Sequence, residues 1–442
     1  MRRHNRLGVA GFAAVAAAVL TAAGCGSSSS SSTPATSASS APASSLPAST
    51  GTGGQGAQSV TNYLSYTGGK AGPADKSLPP VYIGYVNQQG GPTAVGLLAT
   101  AGAQMAVNYA NAELGGVDGH PIQLVTCFIA SAEEEGTTCG QKLAADKDVS
   151  VVLEGGVAIG TQSFYSTIGG AKPVITGVAV TPIDAVQPNA TILFGDATHV
   201  LGPFGTYARD VLHAKTAALV YPNEPGIIEG SKAIRAGLEA AGVKVMSVGY
   251  SSGQADLIGP LTSAGAQTAD MVIPYSSAAG CVNLAKGLKQ LGITDSKKIV
   301  SAPLCLNGQV MAGLGDFPLW TYAIASSLFG DSTDPGMPAY TKVTQTYGTP
   351  ETAPDPWNIV SFAQVMTTIK FLNEIGFDKI TPQTVLAKAK EFKGPLALGA
   401  PALQCGKYAD APAVCNDQVQ FFNYGGKSKF TKVAGWLRPP TS

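Results

Sequence analysis

The sequence predicts an α/β fold made of repeated strand–helix units arranged as parallel sheets. Three observations lead there. Residues 81–125 read as strand, turn, helix, turn and strand, which is one parallel βαβ unit. Similar units then recur along the chain in two series. The composition, 45% hydrophobic with 54 glycines in 442 residues, suits a globular α/β protein with many turns, and the length is a soft prior for two or three domains. The 28 basic and 28 acidic residues balance, so net charge gives no reason to expect a nucleic-acid partner.

Residues 1–24 read as a signal segment that stands outside the fold. Arg2, Arg3, His4 and Arg6 form a basic stretch, and residues 7–20 are an apolar run too short to span a bilayer comfortably. The run ends in Leu20-Thr21-Ala22-Ala23-Gly24-Cys25. Small residues before a cysteine resemble a bacterial lipobox, in which Cys25 becomes the lipidated first residue. Ala22 departs from that motif, where leucine is usual, and the alternative is a plain signal peptide cut nearby. Residues 25–79 read as a tether rich in Ser, Ala, Gly, Thr and Pro, with charges only at Lys70, Asp75 and Lys76. Such a segment buries too little apolar surface to offset its ordering entropy. As a flexible coil it spans about 40 Å root-mean-square. Residues 60–66 are slightly apolar and would suit a contact with the body. The expected location is the extracytoplasmic face of a cell membrane, with the lipid as the only membrane attachment.

The body opens with Val81-Tyr82-Ile83-Gly84-Tyr85-Val86, too short for a helix and apolar enough for a buried strand. Gly90-Gly91-Pro92 marks a turn. From Val95 the apolar residues fall at Leu98, Gly102, Met105, Ala106 and Tyr109, a helical spacing that leaves Gln104, Asn108 and Asn111 on the other face. Gly115-Gly116 ends that helix, and a second strand begins at Pro121. These residues also carry a resemblance. Ile83-Gly84, the Gly91-Pro92 turn and residues 102–107 and 114–122 resemble the opening of type I periplasmic solute-binding proteins. The nearest group is the branched-chain amino-acid binders (Leu/Ile/Val-binding family) of ABC importers, and the likeness extends loosely through most of the chain after residue 80. It implies a Venus flytrap: two Rossmann-like lobes with parallel sheets, joined by three crossovers, with a ligand at the carboxyl ends of the strands between them.

Further along, Ser131 and Glu134 fit a capping box, and Glu133-Glu134-Glu135 suits a helix N-terminus. Strands are expected at 149–153 and 173–176, with a helix from Thr161 between them and a crossing at 194–199. The second series has helices at 207–212, 231–241, 257–265 and 281–291, and strands at 216–221, 243–250, 270–275 and 298–302. Residues 320–328 resemble the family's return crossing. Helices at 356–375 and 382–392, a crossing at 396–399 and a late strand at 419–422 complete the chain. The resulting partition puts residues 80–198 with 328–394 in one lobe and 199–327 with 395–438 in the other.

Cysteine usage agrees with export. Apart from Cys25 the chain has Cys127, Cys139, Cys281, Cys305, Cys405 and Cys415. Many connectivities are open to six cysteines, but these fall as three sequence-local pairs: Cys127–Cys139, Cys281–Cys305 and Cys405–Cys415. None has CxxC spacing and the four histidines do not cluster near them, so no metal site is expected.

Four turns at expected strand ends face the presumed cleft: Asn87-Gln88-Gln89, Val157-Ala158-Ile159-Gly160-Thr161, Val178-Ala179-Val180-Thr181 and Tyr275-Ser276-Ser277. Tyr221 ends another strand and joins the candidate set. In the amino-acid binders, the first-lobe loops after strands three and four supply hydroxyl and backbone groups to the ligand's carboxylate and amino groups. The second lobe supplies an acid to the ammonium. Here the resemblance aligns the hydroxyl positions with Ala158 and Val180 and the acid with Leu304. Thr161, Thr181 and Tyr275 remain, with free N–H groups expected at the helix start near Thr161. An ammonium buried without an acid carries a desolvation cost of several kcal/mol. The sequence therefore argues against a zwitterionic amino acid and for a neutral or anionic solute packed on Val157, Ile159, Val178 and Val180, although each of these also suits core or rim packing. Gln89 and Thr181 from one lobe with Tyr275 from the other form the expected bridging set.

There is no Gly-x-Ser-x-Gly elbow and no P-loop, and Gly155–Gly160 is glycine-rich without matching GxGxxG. The expectation is therefore a binding protein without catalysis or cofactor. It would be a monomer that captures a small-molecule solute for the permease of an ABC importer. The alternative is a tethered sensor or scavenging receptor without transport.

Overall fold

The computed structural model describes residues 59–91 and 96–441. The signal segment, Cys25 and most of the expected tether lie outside the described residues. Val81–Gln88 (β1), Ile122–Ile129 (β2), Val149–Glu154 (β3), Val174–Thr176 (β4) and Ala190–Ile192 (β5) form a parallel sheet in the order β2-β1-β3-β4-β5. Near-continuous apolar runs of this kind belong to sheets covered on both faces, and alternation along β1 divides its side chains accordingly. Ile83 and Tyr85 enter a core shared with the helices Ala99–Glu113, Pro356–Ile375 and Pro382–Glu391. Val86 enters the opposite core, against the helices Glu133–Ala145 and Thr161–Ile168.

Thr216–Pro222 (β6), Lys244–Tyr250 (β7) and Met271–Pro274 (β8) form a second parallel group in the order β7-β6-β8. Val300–Ser301 (β9), Thr321–Ile324 (β10), Val419–Tyr424 (β11) and Phe430–Leu437 (β12) extend it in the order β12-β11-β10-β9, joined to β8 by a parallel bridge between Val272 and Ile299. Pairs β10–β11 and β11–β12 are antiparallel. The molecule thus has two α/β lobes, and the described residues form one compact unit.

The helix Pro356–Ile375 is capped by the Asp355 carboxylate, which accepts from Trp357 N at 2.8 Å, and Pro356 is pre-set for the first helical position. It is buried nearly all round and packs against Ala99–Glu113 at the small residue Gly102, where a Cβ would stand 2.2 Å from the Asn358 carbonyl oxygen. Gln364 donates to the carbonyl oxygen of Glu154 at 2.9 Å and to that of Ile175, tying the helix to the ends of β3 and β4.

Several expectations are corrected. Residues 59–79 are not tether: Asn62 caps the short helix Tyr63–Thr67, Tyr63 is 2% exposed, and the Tyr66 hydroxyl lies 2.9 Å from Thr367 Oγ1. The cap of Glu133–Ala145 is not Ser131 with Glu134 but the Glu135 carboxylate, which accepts from the N–H groups of Ala130, Ser131 and Ala132. Residues 321–324 are a strand rather than the start of a crossing, and β5 and β12 were not foreseen. Residues 396–399 do not cross. Leu396, Ala397, Leu398, Ala400, Leu403 and Cys415 sit in the first-lobe core, and the chain passes to β11 only at Asn416–Gln418. The start of the second-lobe segment therefore moves from residue 395 to the far side of Cys415.

Disulfides join Cys127 to Cys139, Cys281 to Cys305 and Cys405 to Cys415. The first ties β2 to the helix Glu133–Ala145. The second ties the helix Ala278–Gln290 to the turn Pro303–Cys305 that follows β9.

Candidate functional site

In a parallel sheet the loops at the carboxyl ends of the strands gather on one edge and form the binding edge of an open α/β fold. In the first lobe these are the loops after β1, β3 and β4. In the second they follow β6, β7, β8 and β9.

The first-lobe edge is hydrogen-bonded within itself. Asn87, fully buried, accepts from Gly156 N at 2.9 Å and donates to Gly96 O at 3.2 Å and Thr100 Oγ1 at 3.1 Å. Gln88, also fully buried, accepts from Ala158 N at 2.8 Å and Ile159 N at 3.0 Å. Gln89 Oε1 accepts from Thr100 Oγ1 at 2.6 Å and from Asn87 Nδ2 at 3.2 Å. Glu133 reaches the start of the helix Thr161–Ile168, accepting from Gly160 N at 2.7 Å and Ser163 N at 2.9 Å. Those N–H bonds, Ser163's first, hold its carboxyl below the usual range. Thr161 is buried and donates to Val157 O at 3.0 Å. Of the N–H groups around this helix start, those of Ala158, Ile159, Gly160 and Ser163 are engaged, by Gln88 and Glu133.

The remaining first-lobe candidates divide between core and edge. Val157 and Ala179 are buried, and Ala179 N donates to Gly195 O. Ala158 is exposed, while Ile159, Val178, Val180 and Thr181 are half-buried. The Thr181 N–H and hydroxyl both donate to Asp184 Oδ2, at 3.1 and 3.0 Å.

In the second lobe Tyr275 is 3% exposed and belongs to the core. Gly230 makes room for it: a Cβ there would come within 2.1 Å of the Tyr275 hydroxyl. Burial pushes that hydroxyl up to about 12. Ser276 is fully buried against the Tyr250 hydroxyl at 2.8 Å. Tyr221 is half-buried, and Leu304 is 43% exposed on the turn held by the Cys281–Cys305 bridge. The expected bridging set is thus not brought together. Gln89, Thr181 and Tyr275 are each engaged within their own lobe.

Two residues at this edge escaped the sequence reading. Glu224, half-buried, precedes the helix Pro225–Ala240 and accepts from Ser277 Oγ at 3.3 Å, so the second lobe does carry an acid at its strand ends. The signal was the Glu-Pro pair that opens the helix. Trp357, half-buried in the first turn of its helix, lies where a Cβ on Gly96 would meet its ring at 3.1 Å. No group of three or more His, Cys, Asp or Glu residues placed to hold a metal ion occurs among the described residues.

Behind the first-lobe loops lies a buried acid pair. Glu154, at the end of β3, is 1% exposed and accepts from the Tyr165 hydroxyl and Thr176 Oγ1, both at 3.1 Å. Its carboxyl is close enough to that of Asp184 for the two to interact electrostatically. Asp184 Oδ1 is buried without a hydrogen-bond partner. Burial first, and then the charge of Asp184, raise Glu154 well above its ordinary 4.5. Holding a proton on the pair leaves one charge where two would repel.

Two outcomes are expected. Tyr275→Ala should cost the apo protein about 3 kcal/mol of stability, because it empties a core position rather than an open cleft; an unchanged melting temperature would return Tyr275 to the cleft. The acid pair binds more protons folded than unfolded. Its stabilisation is therefore complete below 4.5 and is lost as pH rises through the raised value. Melting temperature should fall with rising pH over that window, and Glu154→Gln, which supplies a permanent donor to Asp184, should flatten the profile. Parallel profiles for the two proteins would remove the pair from the account.

Comparison with known proteins gives the fold a family. A family profile described as periplasmic binding protein matches residues 80–413. No match was found among curated protein sequences. Among solved structures, an ABC transporter substrate-binding protein from Sphaerobacter thermophilus superposes with a TM-score of 0.67 at 15% identity, covering 82% of this chain and 98% of that one. A branched-chain amino acid transporter substrate-binding protein from Streptococcus pneumoniae, in complex with isoleucine, gives 0.60 at 17% identity, covering 80% and 99%. A solute-binding protein of an ABC transporter from R. palustris, in complex with 4-hydroxybenzoate, gives 0.62 at 16% identity, covering 82% and 98%. Two α/β lobes with parallel strand ends, and a profile that spans most of the chain, lead to one conclusion: the chain belongs to the periplasmic binding protein family, with the type I fold.

Proposed function

We propose that this chain is the solute-capturing lipoprotein of an ABC importer. It is a monomer that binds a small organic solute between its lobes, closes on it and presents it to a membrane permease. The observation that carries the reading is the family match over residues 80–413 on a two-lobed body whose chain passes between the lobes in short segments, at 193–202, 325–336 and 416–418. Short crossings suit hinge closure, which only a solute that binds the closed form more tightly can drive. Cys25 is the proposed lipid attachment, on the extracytoplasmic face, and residues 26–58 the spacer.

The proposed solute is not a standard zwitterionic amino acid. Leu304 stands where the resemblance places the ammonium's acid, and the acid the second lobe does carry, Glu224, accepts from Ser277 Oγ. Stronger support comes from the other end of the ligand. The N–H groups of Ala158 and Ile159 and the Thr181 hydroxyl, suited to a carboxylate, are bonded to Gln88 and Asp184.

Native mass spectrometry of gently purified protein should find a co-purified small molecule. Returning that molecule to stripped protein should lower the radius of gyration measured by small-angle scattering. A solute that binds without compaction would remove closure, and tight calorimetric binding of leucine would remove the ligand argument. Separately, Cys25→Ala should move the protein out of the membrane fraction; a variant that stays there would exclude lipid anchoring at this residue.

A further inference from the structure

We infer that Gln88 is a specificity-determining residue. Its amide oxygen occupies, from within the chain, the place where the first-lobe edge would otherwise receive a carboxylate. The solute accordingly presents something other than a carboxylate to this edge. The inference rests on the solute-capture reading above and deepens it.

Adjacent N–H groups entering a helix are a ready acceptor of anions unless something already fills them. Here several of them are filled from within the chain. Gly155 N donates to Val86 O at 2.9 Å and Gly156 N to Asn87 Oδ1 at 2.9 Å. Ala158 N and Ile159 N converge on the single oxygen Gln88 Oε1, at 2.8 and 3.0 Å. Gly160 N and Ser163 N converge on the Glu133 carboxylate, at 2.7 and 2.9 Å.

The position of Gln88 is imposed by the sheet. It is the last residue of β1, paired with Ile129 of β2, and its own N–H donates to Gly156 O at 3.1 Å. Its side chain is fully buried beneath Ala158, which is exposed, and Ile159, which is half-buried. An incoming carboxylate would have to expel a buried amide and leave it without these donors, an arrangement that penalises the wrong ligand more than it rewards the right one. It would also approach a helix start that already carries the negative charge of Glu133. What this edge leaves open includes the apolar Ala158, Ile159, Val178 and Val180, beside Gln89 and Thr181, whose amide oxygen and hydroxyl are already bonded. The polar end of the solute then falls to the second lobe, where Glu224 and Ser277 stand together.

The test is calorimetric titration of benzoate and of isoleucine into the full mature chain, as wild type, Gln88→Ala and Gln88→Glu. Gln88→Ala uncovers the N–H pair. It should bind benzoate at least about tenfold more tightly than wild type, whereas Gln88→Glu, which keeps an acceptor there and adds charge, should bind neither probe. Equal benzoate affinity in wild type and Gln88→Ala overturns the inference, and so does binding by neither. If melting shows that Gln88→Ala does not fold, Gln88→Asn carries the same test, because it withdraws the oxygen by one methylene and stays polar. Failure here is distinct from failure of solute capture. A co-purified solute that compacts the wild-type protein but whose affinity is unchanged in Gln88→Ala leaves capture standing and removes Gln88 as its selector.

Discussion

The first sheet has two faces to cover, and the chain does not finish covering them until it has built most of the second lobe. Ile83, Tyr85, Leu153 and Ile175 point into a core completed by the helix Pro356–Ile375. A parallel sheet with an uncovered face would expose a row of large apolar side chains, each worth about 1.5–3 kcal/mol when fully buried. The return of this helix is therefore the condition on which the first lobe rests. Its seating depends on close contact rather than on bulk. Gly102 admits the Asn358 carbonyl, and Gln364 satisfies carbonyl groups of two strands at once. Those strands carry the candidate binding loops, so the same contact that closes the core also positions the edge.

The interleaving of the lobes leaves a narrow bridge between them, and that bridge is unusually polar for its burial. Asn416 donates to Phe194 O at 3.1 Å and to Gln418 O at 3.0 Å, linking two of the crossings. Ser327 N donates to Leu398 O at 2.7 Å in the segment 325–336 that leads from β10 back to the first lobe. Asp417, 2% exposed, is held by the Tyr408 hydroxyl from one side and by Arg438, beyond β12, from the other, each at 2.8 Å. Directional bonds of this kind keep the crossings in register.

At the edge itself the recurring feature is that the chain supplies its own acceptors. Asn87, Gln88, Glu133 and Asp184 take up N–H and hydroxyl groups that an open loop would offer to a ligand. Burying those donors unpaired would be costly, so internal capping stabilises the loops and narrows what they can recognise. The buried Glu154–Asp184 pair adds a proton requirement behind two of the same loops. Asp184 thus belongs both to the capped loops and to the buried acid pair behind them.

Much of the fold was legible because strong local patterns met matching tertiary surroundings. The apolar run of β1, the helix bounded by Asp355-Pro356 and Gly376, and the local cysteine pairs all read directly. Helices beginning at Pro203, Pro225 and Ala278 start earlier than the apolar pattern alone indicated, since their first turns carry proline or glycine, which read as turn residues. β12 was missed because it is an edge strand carrying Lys432 with alternating exposure, which reads as a polar loop until a partner strand pairs with it. The last crossing was misplaced because Leu396–Ala400 is apolar for a different reason: it fills the first-lobe core. For the site, the sequence by itself determined which loops lie at strand ends, since chain order and parallel pairing settle that. It did not determine which way their side chains turn. Whether Gln88 faces a ligand or caps Ala158 depends on a contact across 70 residues, and whether Tyr275 lines a cleft or fills a core depends on the absence of a Cβ at Gly230. Only the tertiary structure decided these, because side-chain direction at a strand end follows from what packs behind it.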